Sequence, residues 1–391
     1  MSHELAYVII TPYSLHKSRT GGILARLISR TSLEMVAARM FAPSPELVKE
    51  YSKVIVSTND PQDRRIQEMI RDYILQNLSP DPKTRKRRRV MMLVFQGEDA
   101  VRKVRSVVGN IGPDRRGGET IRDTYGDLIF EEHGQVRYFE PAVLAAPNVE
   151  EAEMKLKLWA CHSDTDGGLI ADTIVYPPKE KPEHTLVLIK PDNFRFPTGR
   201  PGNVIDFFSR TGLYIVAIKV HRMSTAEAME FYKPVREFLR TKLNDIAGAK
   251  ARAVIEKELG FKIPPREEKA LGDLIGPLSG DQQFENIVKF MSGRAPSECD
   301  SDALNQPGTE KCIALVYEGH EAIRKIRDVL GPTDPSKAPP GSIRREFGST
   351  IMVNAAHASD SVENAQREMG IVRIGKENTF RKVVEEFYGK L

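Results

Sequence analysis

Short apolar runs alternate with amphipathic stretches throughout the C-terminal half of the chain. Four runs are short and rich in β-branched or other apolar residues, and they predict strands: TLVLIK (185–190), YIVAIKV (214–220), CIALVYEG (312–319) and STIMVNAA (349–356). Three stretches have helical spacing: NVIDFFSRTG (203–212), HEAIRKIRDVLG (320–331) and SVENAQREM (361–369). Four strands with helices between them predict an α+β fold built as a layered sandwich.

The chain contains two copies of this unit. Three pairs of segments match in the same order: SRTSLEMVAARM with SRTGLYIVAIKV, VRKVRSVVG with IRKIRDVLG, and TIRDTYG with SIRREFG. The repetition predicts two tandem domains, 1–165 and 185–391, joined by a polar linker at 166–184 that contains Gly and Pro. The second copy carries a predicted helical insertion at about 240–282, which is broken at Pro264-Pro265.

Composition adds few constraints. The net charge of +4 is too small to indicate a nucleic-acid binder, so nucleic acid is an unlikely partner. The first ten residues have no basic region and no small-residue cleavage site, and no apolar stretch is long enough to span a bilayer, so no membrane association is predicted. Three cysteines without metal-type spacing fit reduced thiols and a cytoplasmic location.

A basic run, TRKRRR (84–89), precedes the apolar strand VMMLVF. Such a run can bind nucleic acid or act as an address signal. The more ordinary interpretation is a solvated loop with a charged strand edge that discourages pairing between sheets.

His357 stands at a predicted strand end, just before a helix start, and is one of eight histidines. A histidine in that place is often structural. A neutral imidazole is also a good nucleophile near pH 7. The second copy offers Lys190, Arg327 and Arg344 as cations, which a phosphoryl transfer needs around its oxygens. No phosphate-binding Gly-x-x-x-x-Gly-Lys loop occurs, so discrete Lys and Arg contacts would have to bind a nucleotide.

Three segments resemble the nucleoside diphosphate kinase family, in the family's order: IKPD (189–192), GPTDPSKAPPGSIRREFG (331–348) and NAAHASDSVENAQRE (354–368). The similarity spans 183–371 apart from the insertion. It implies two tandem ferredoxin-like domains with four-stranded antiparallel sheets. It also implies transfer of a γ-phosphoryl group from a nucleoside triphosphate to a nucleoside diphosphate through a phosphohistidine, with Mg²⁺ as cofactor on the nucleotide phosphates and no direct metal ligand in the protein.

The resemblance also implies roles for individual residues. His357 matches the nucleophile, Glu368 the acidic residue that fixes its tautomer, and Ser359 a neighbouring hydroxyl. The residues implied as nucleotide-binding are Lys190, Tyr232, Phe284, Arg327, Thr333, Arg344 and Asn354. Ala358 stands where the family has glycine.

The first copy keeps the frame without this chemistry. Thr11 stands in place of Lys190, and aligning NVEEA with SVENA puts Leu144 at the position of His357. The same register puts Pro141 at Asn354 and Lys155 at Glu368, whereas Arg105, Arg122 and Tyr51 match Arg327, Arg344 and Tyr232. The first copy is therefore predicted to be degenerate.

Two functional classes follow. The first is a nucleoside diphosphate kinase with one active and one degenerate domain. The alternative is a non-catalytic nucleotide-binding or scaffold protein, which Phe284 and Ala358 keep open. Because single-domain relatives are oligomers, the resemblance also predicts that the copies pair as an intramolecular pseudo-dimer, with a higher homo-oligomer open.

Overall fold

The computed structural model describes residues 3–112, 117–131, 135–178 and 181–391, so two residues of the predicted linker, 179 and 180, lie outside the described part. The strands are β1 His3–Ile10, β2 Glu34–Phe41, β3 Val90–Glu98, β4 Asp127–Phe130, β5 Val136–Glu140, β6 Val143–Ala145, β7 Glu183–Ile189, β8 Tyr214–His221, β9 Cys312–Gly319 and β10 Ala356–Ala358.

The helices of the first copy are α1 Pro12–His16, α2 Thr20–Thr31, α3 Pro45–Lys53, α4 Arg64–Asn77, α5 Ala100–Val108, α6 Ile121–Tyr125, α7 Val149–Cys161 and α8 Ser163–Asp166. Those that follow are α9 Arg200–Phe208, α10 Thr225–Lys242, α11 Asn244–Leu259, α12 Pro265–Ser292, α13 Ala322–Leu330, α14 Ile343–Phe347, α15 Val362–Val372 and α16 Thr379–Tyr388. Short 3₁₀ turns lie at Pro191–Asn193, Ser209–Thr211, Pro296–Glu298, Ala303–Asn305 and Pro335–Lys337.

Each copy forms one four-stranded sheet. The first has the order β2-β3-β1-β6 and the second the equivalent order β10-β7-β9-β8, read from the other edge. The pairs β1–β3, β2–β3, β1–β6, β7–β9 and β7–β10 are antiparallel. β1 and β7, which begin their copies, are interior strands, and their apolar residues are buried as such strands require. The predicted α+β fold with two tandem sheets is confirmed.

The strand predicted at 349–356 is wrong in extent. Only Ala356–Ala358 pairs with β7, and the residues before it curl into a loop in which the Ser349 amide donates to the Val353 carbonyl at 2.8 Å. Backbone groups that bond within the loop cannot also join the sheet ladder. The β4–β5 hairpin of the first copy was not anticipated.

The residues cluster into two compact units. Residues 1–220 and 313–391 form the first, which contains both sheets, and residues 221–312 form the second. In the second unit, α12 packs closely on α10 and α11, where a Cβ added at Gly276 would lie 2.0 Å from the Asn244 side chain. α11 ends before Gly260, and α12 begins at Pro265, so the predicted helical break is confirmed. The predicted domain boundaries stay a prediction.

Within the first unit, equivalent helices of the two copies touch. α2 packs against α9 so closely that a Cβ added at Gly202 would lie 2.3 Å from the Gly21 carbonyl oxygen. The C-terminal helix α16 packs on β2 and α7 of the first copy. Its Phe380 is fully buried, with its ring 5.6 Å from that of Phe41.

The basic run makes intramolecular contacts. Lys86 pairs with Asp172, and Arg87 Nη1 lies 3.3 Å from the Asp166 carboxylate, both in the predicted linker. Arg88 bonds to the Gln76 carbonyl and to Asp81. These side chains therefore fasten the linker and the start of β3. Among the described residues, no helix is both long enough and apolar enough to cross a membrane.

Candidate active site

His357 lies in β10, opposite Leu188 of β7. Its Nε2 is 2.9 Å from Oε2 of Glu368, and the Ser359 hydroxyl donates to the same oxygen at 2.6 Å. A carboxylate accepts hydrogen bonds only, so this contact assigns a proton to Nε2. The lone pair of the neutral imidazole then resides on Nδ1, which becomes the nucleophilic nitrogen.

The support of the histidine is buried, whereas the ring reaches solvent. The side chain of His357 is 24% exposed, against 6% for Glu368. Glu368 is carried by α15, whose N-cap Ser361 accepts the Asn364 amide at 3.1 Å. A capped helix therefore holds the carboxylate while the imidazole stays accessible.

Lys190 follows the last residue of β7. Its ammonium donates to Asn354 Oδ1 at 3.0 Å and to the Met352 carbonyl. Burial lowers the pKa of Lys190 from 10.5 to about 8, Asp192 raises it, and Arg344 lowers it further. A buried ammonium beside an arginine makes this strand end a region of positive charge, which favours an anion.

Asn354 ties three segments together. Its Nδ2 donates to the Thr333 carbonyl at 3.0 Å and to the Ile351 carbonyl at 2.8 Å, while its Oδ1 accepts from Lys190. All the hydrogen-bonding groups of this buried amide are thus used within the protein.

Arg344 bridges α13 and β10. Its guanidinium donates to the Gly331 carbonyl at 3.0 Å and to the Ala356 carbonyl at 3.2 Å, and lies 3.5 Å from the Thr333 hydroxyl. It therefore fixes the backbone immediately before His357. Arg327 is exposed on α13 and pairs with no carboxylate of the described residues, and Thr333 is exposed as well.

Two residues that the sequence did not single out, Asn193 and Arg200, organise the same region together with Asp192. The Asn193 amide donates to the Lys190 carbonyl at 2.9 Å and to the Ala355 carbonyl at 2.7 Å. Arg200 donates to Asn193 and to the buried carboxylate of Asp192, each at 2.9 Å. The Asp of IKPD was the available signal, because a carboxylate beside a strand-end lysine needs a partner.

The backbone bends sharply before β10. Ala355 has φ +70°, and Ala142 has φ +61° at the equivalent place in the first copy. This conformation is uncommon for a residue with a Cβ and is held by the bonds that the Ala355 carbonyl accepts. Ala358 has no such φ and pairs with Val187 as ordinary strand. Extended backbone accommodates alanine here without requiring glycine.

Tyr232 and Phe284 belong to the second compact unit. Tyr232 is buried on α10, with its ring 5.0 Å from that of Phe231. Phe284 is only 4% exposed, and the Arg236 guanidinium lies 5.5 Å from its ring centre. Little of the Phe284 ring is accessible to a base, and its stacking role stays a prediction.

The first copy has the same frame with different side chains. Leu144 lies opposite Ile9, the penultimate residue of β1, as His357 lies opposite the penultimate residue of β7. The predicted register is confirmed. Lys155 is buried and pairs with Glu151, so the helix that carries Glu368 in the second copy carries a lysine here.

A carboxylate replaces the cation at the strand end of the first copy. Glu140 accepts hydrogen bonds from the Thr11 hydroxyl at 2.9 Å, from the Tyr73 hydroxyl at 2.6 Å and from the Ala142 amide at 2.9 Å. Burial raises the pKa of Glu140. A carboxyl group in this place disfavours a phosphate.

Arg122 keeps the contacts of its counterpart. It donates to the Gly109 carbonyl at 2.9 Å and to the Val143 carbonyl at 3.2 Å, as Arg344 does to Gly331 and Ala356. Burial lowers the pKa of Arg122 to about 9, and the neighbouring Arg105 contributes. Because this clamp persists without a histidine, one function of the arginine at this position is structural.

Comparisons with known proteins place similar sequences over the second copy. The sequence pattern of the family described as Nucleoside diphosphate kinase matches residues 183–243 and 301–377. The nucleoside diphosphate kinase of Wolinella succinogenes is 31% identical over 195 residues, a match that covers 50% of this chain and 98% of that protein. The chain also matches that of Staphylothermus marinus, at 30% identity over 49% of this chain and 92% of that protein.

A crystal structure of an NDP kinase from Pyrobaculum aerophilum is 29% identical and matches 50% of this chain and 100% of its own, with a TM-score of 0.34. The family pattern falls on the copy that contains His357. The chain belongs to the nucleoside diphosphate kinase family.

Proposed function

We propose that this chain transfers the γ-phosphoryl group of a nucleoside triphosphate to a nucleoside diphosphate, with His357 as the intermediate carrier. The observation that carries the proposal is the support of His357 by Glu368 and Ser359, which assigns the ring proton to Nε2 and makes Nδ1 the nucleophilic nitrogen. Named relatives of similar sequence are nucleoside diphosphate kinases.

The exchange takes two steps. The Nδ1 lone pair of His357 forms a bond to the γ-phosphorus, and the bond from that phosphorus to the β–γ bridging oxygen breaks, which releases the nucleoside diphosphate. A second diphosphate then attacks the phosphohistidine, so the N–P bond breaks and a new triphosphate leaves. The Glu368 carboxylate stabilises the positive charge that the ring gains when Nδ1 is phosphorylated.

Cations of the second copy would hold the phosphates. We assign Lys190, Arg327 and Arg344 to the phosphate oxygens, with Thr333 and Asn354 beside them. Ammonium, guanidinium and amide donors do not supply the carboxylate oxygens that Mg²⁺ takes from proteins. Magnesium would therefore enter as part of the substrate, bound to the nucleotide phosphates.

The test is labelling of the full-length chain with γ-labelled ATP and Mg²⁺, followed by His357→Ala. We expect an acid-labile adduct and nucleotide exchange in the wild type and neither in the variant. The matched control is His320→Ala, because His320 is an exposed histidine of the same copy with 57% of its side chain accessible. Undiminished labelling of His357→Ala would falsify the proposal. Nucleotide binding without any adduct in the wild type would favour the non-catalytic alternative.

We also propose that the first copy serves as an intramolecular partner, so that the chain is a pseudo-dimer. The contact between the equivalent helices α2 and α9, and the docking of Phe380 beside Phe41, support this role. A cytoplasmic location suits the cysteines, which form no disulfide among the described residues.

A further inference from the structure

A cavity of about 150 Å³ opens between the two copies, within the first compact unit. Its wall includes Thr20, Gly21 and Arg89 from the first copy, and Tyr214 and Tyr317 from the second. His357 and the residues proposed to bind nucleotide do not line it. The proposed catalysis gives this cavity no role.

Arg89 supplies the cavity with a cation. Its Nη1 donates to the Ile215 carbonyl at 2.7 Å, and its guanidinium lies 4.9 Å from the ring centre of Tyr214. No carboxylate of the described residues forms an ion pair with it. Glu318 attracts Arg89 electrostatically, but that carboxylate already accepts from His184 and Tyr176. A partly buried guanidinium with one hydrogen bond retains donors for a ligand.

Tyr317 supplies an unused hydroxyl. The residue is 2% exposed, lies in β9, and its hydroxyl group has no hydrogen-bond partner among the described residues. A buried hydroxyl without a partner costs free energy, so such groups are normally bonded to the protein, to water or to a ligand.

The N-terminus of α2 faces the same space through Thr20 and Gly21. The N-cap residue Arg19 makes no side-chain capping bond, so the first amides of this 12-residue helix are not satisfied by the cap. The positive end of a helix favours an anion. Asp206, an exposed residue of α9, approaches Gly21 with its backbone amide and its Cβ.

We propose that this cavity binds a phosphate-sized oxyanion, held by Arg89, the Tyr317 hydroxyl and the first amides of α2. The anion is either free inorganic phosphate or the phosphate of a small phosphomonoester. Ile205, Leu213 and the ring of Tyr214 provide an apolar wall that would suit a small organic body. Because both copies supply the wall, the ligand would strengthen their association.

The test is calorimetric titration of the full chain with inorganic phosphate and, separately, with phenyl phosphate, both in saturating Mg·ADP so that the nucleotide site is occupied. We expect saturable binding in the wild type and at least tenfold weaker binding, about 1.4 kcal/mol, in Tyr317→Phe and in Arg89→Met. If phenyl phosphate binds more tightly than inorganic phosphate, the ligand is a phosphomonoester. If it binds equally or more weakly, the ligand is free phosphate.

Arg88→Met is the matched control. Arg88 belongs to the same basic run, bonds to Gln76 and Asp81, and does not line the cavity, so its variant should bind as the wild type does. Tyr317→Phe removes only a hydroxyl and keeps the ring. It therefore still tests the proposal if the Arg89→Met variant fails to fold. Absence of binding in the wild type would overturn the proposal. Unchanged binding in Tyr317→Phe together with a raised melting temperature would overturn it as well, because the hydroxyl would then be only an unsatisfied buried group.

Discussion

Burial of a single ammonium gives the proposed site a pH dependence. Folding lowers the pKa of Lys190 from 10.5 to about 8, so the unfolded chain binds more protons than the folded chain between those values. Lys190 therefore makes the folded state more stable as pH rises from about 8 to 10.5. The same deprotonation removes a cation from the phosphates, so kcat/KM should fall above about pH 8.

The measurement is the pH profile of kcat/KM for the wild type and for Lys190→Gln. The variant should be slower at neutral pH, by ~10²–10³ for one lost donor, and should lack the alkaline fall. An identical alkaline limb in both proteins would remove Lys190 from the reaction.

Substitutions at the two equivalent arginines, Arg344 and Arg122, should distinguish an effect on catalysis from an effect on stability. Arg344→Ala should lower exchange by ~10²–10³, because it removes the proposed donor to the phosphates as well as the backbone clamp. Arg122→Ala removes no proposed phosphate contact, but it leaves the Gly109 and Val143 carbonyls without their donor, which costs about 1–3 kcal/mol of stability.

The clamp of Arg122 therefore predicts an effect of Arg122→Ala on stability and little direct effect on exchange. The measurements are thermal unfolding and exchange rate for both variants. Arg105→Ala is the control, since Arg105 is half-buried and makes no comparable clamp to any of the described residues. A loss of exchange in Arg122→Ala without a loss of stability would contradict this division.

Among the elements, those with strong local signals were the predictable ones. β9 at Cys312–Gly319 and the helix ending at Gly331, with φ +82°, have the predicted positions because pattern and cap agree there. The fourth strand is confined to Ala356–Ala358 because Asn354 anchors the preceding loop through its side-chain bonds to Thr333 and Ile351, which apolar periodicity cannot reveal. Asn193 and Arg200 were missed for the same reason.

The close contact between helices α2 and α9 predicts the sign of a stability change at Gly202. Replacing a glycine inside a helix with alanine normally stabilises the folded protein by about 0.5–1 kcal/mol. At Gly202 we expect the opposite sign, because a Cβ there would lie 2.3 Å from the Gly21 carbonyl and 2.4 Å from the Ala25 amide. Overpacking of this kind costs about 1–3 kcal/mol.

Thermal unfolding of Gly202→Ala checks this sign. Gly370→Ala is the control, since Gly370 lies in α15 with nothing within 4 Å of an added Cβ. Stabilisation of both variants would mean that the helices do not meet as closely as described.

At the scale of the whole molecule, repetition in the sequence predicted two sheets but not how the copies share contacts. Phe380 lies beyond the resembling region, yet it is fully buried next to Phe41 of the first copy. Asn378 donates to Asp164 at 2.7 Å, and Arg381 pairs with the same carboxylate at 2.8 Å. The C-terminal helix thus belongs to the surface of the first copy, which no periodicity within a single copy could indicate.

A second copy expressed alone, as residues 181–391, would expose α9 and the buried face of α16 to water. Exposed contiguous apolar surface favours self-association. We therefore expect the fragment to aggregate or oligomerise, and its exchange rate to fall below that of the full chain.

Co-expression with residues 1–178 should restore a soluble complex, because the missing partner surface is returned. Light scattering measures the association state, and exchange assays measure the activity. Phe380→Ala in the full chain should weaken the contact between α16 and the first copy and so give a milder form of both effects. A fragment that stays monomeric and fully active would remove the partner role from the first copy. Its retained Arg122 clamp would then serve only its own fold.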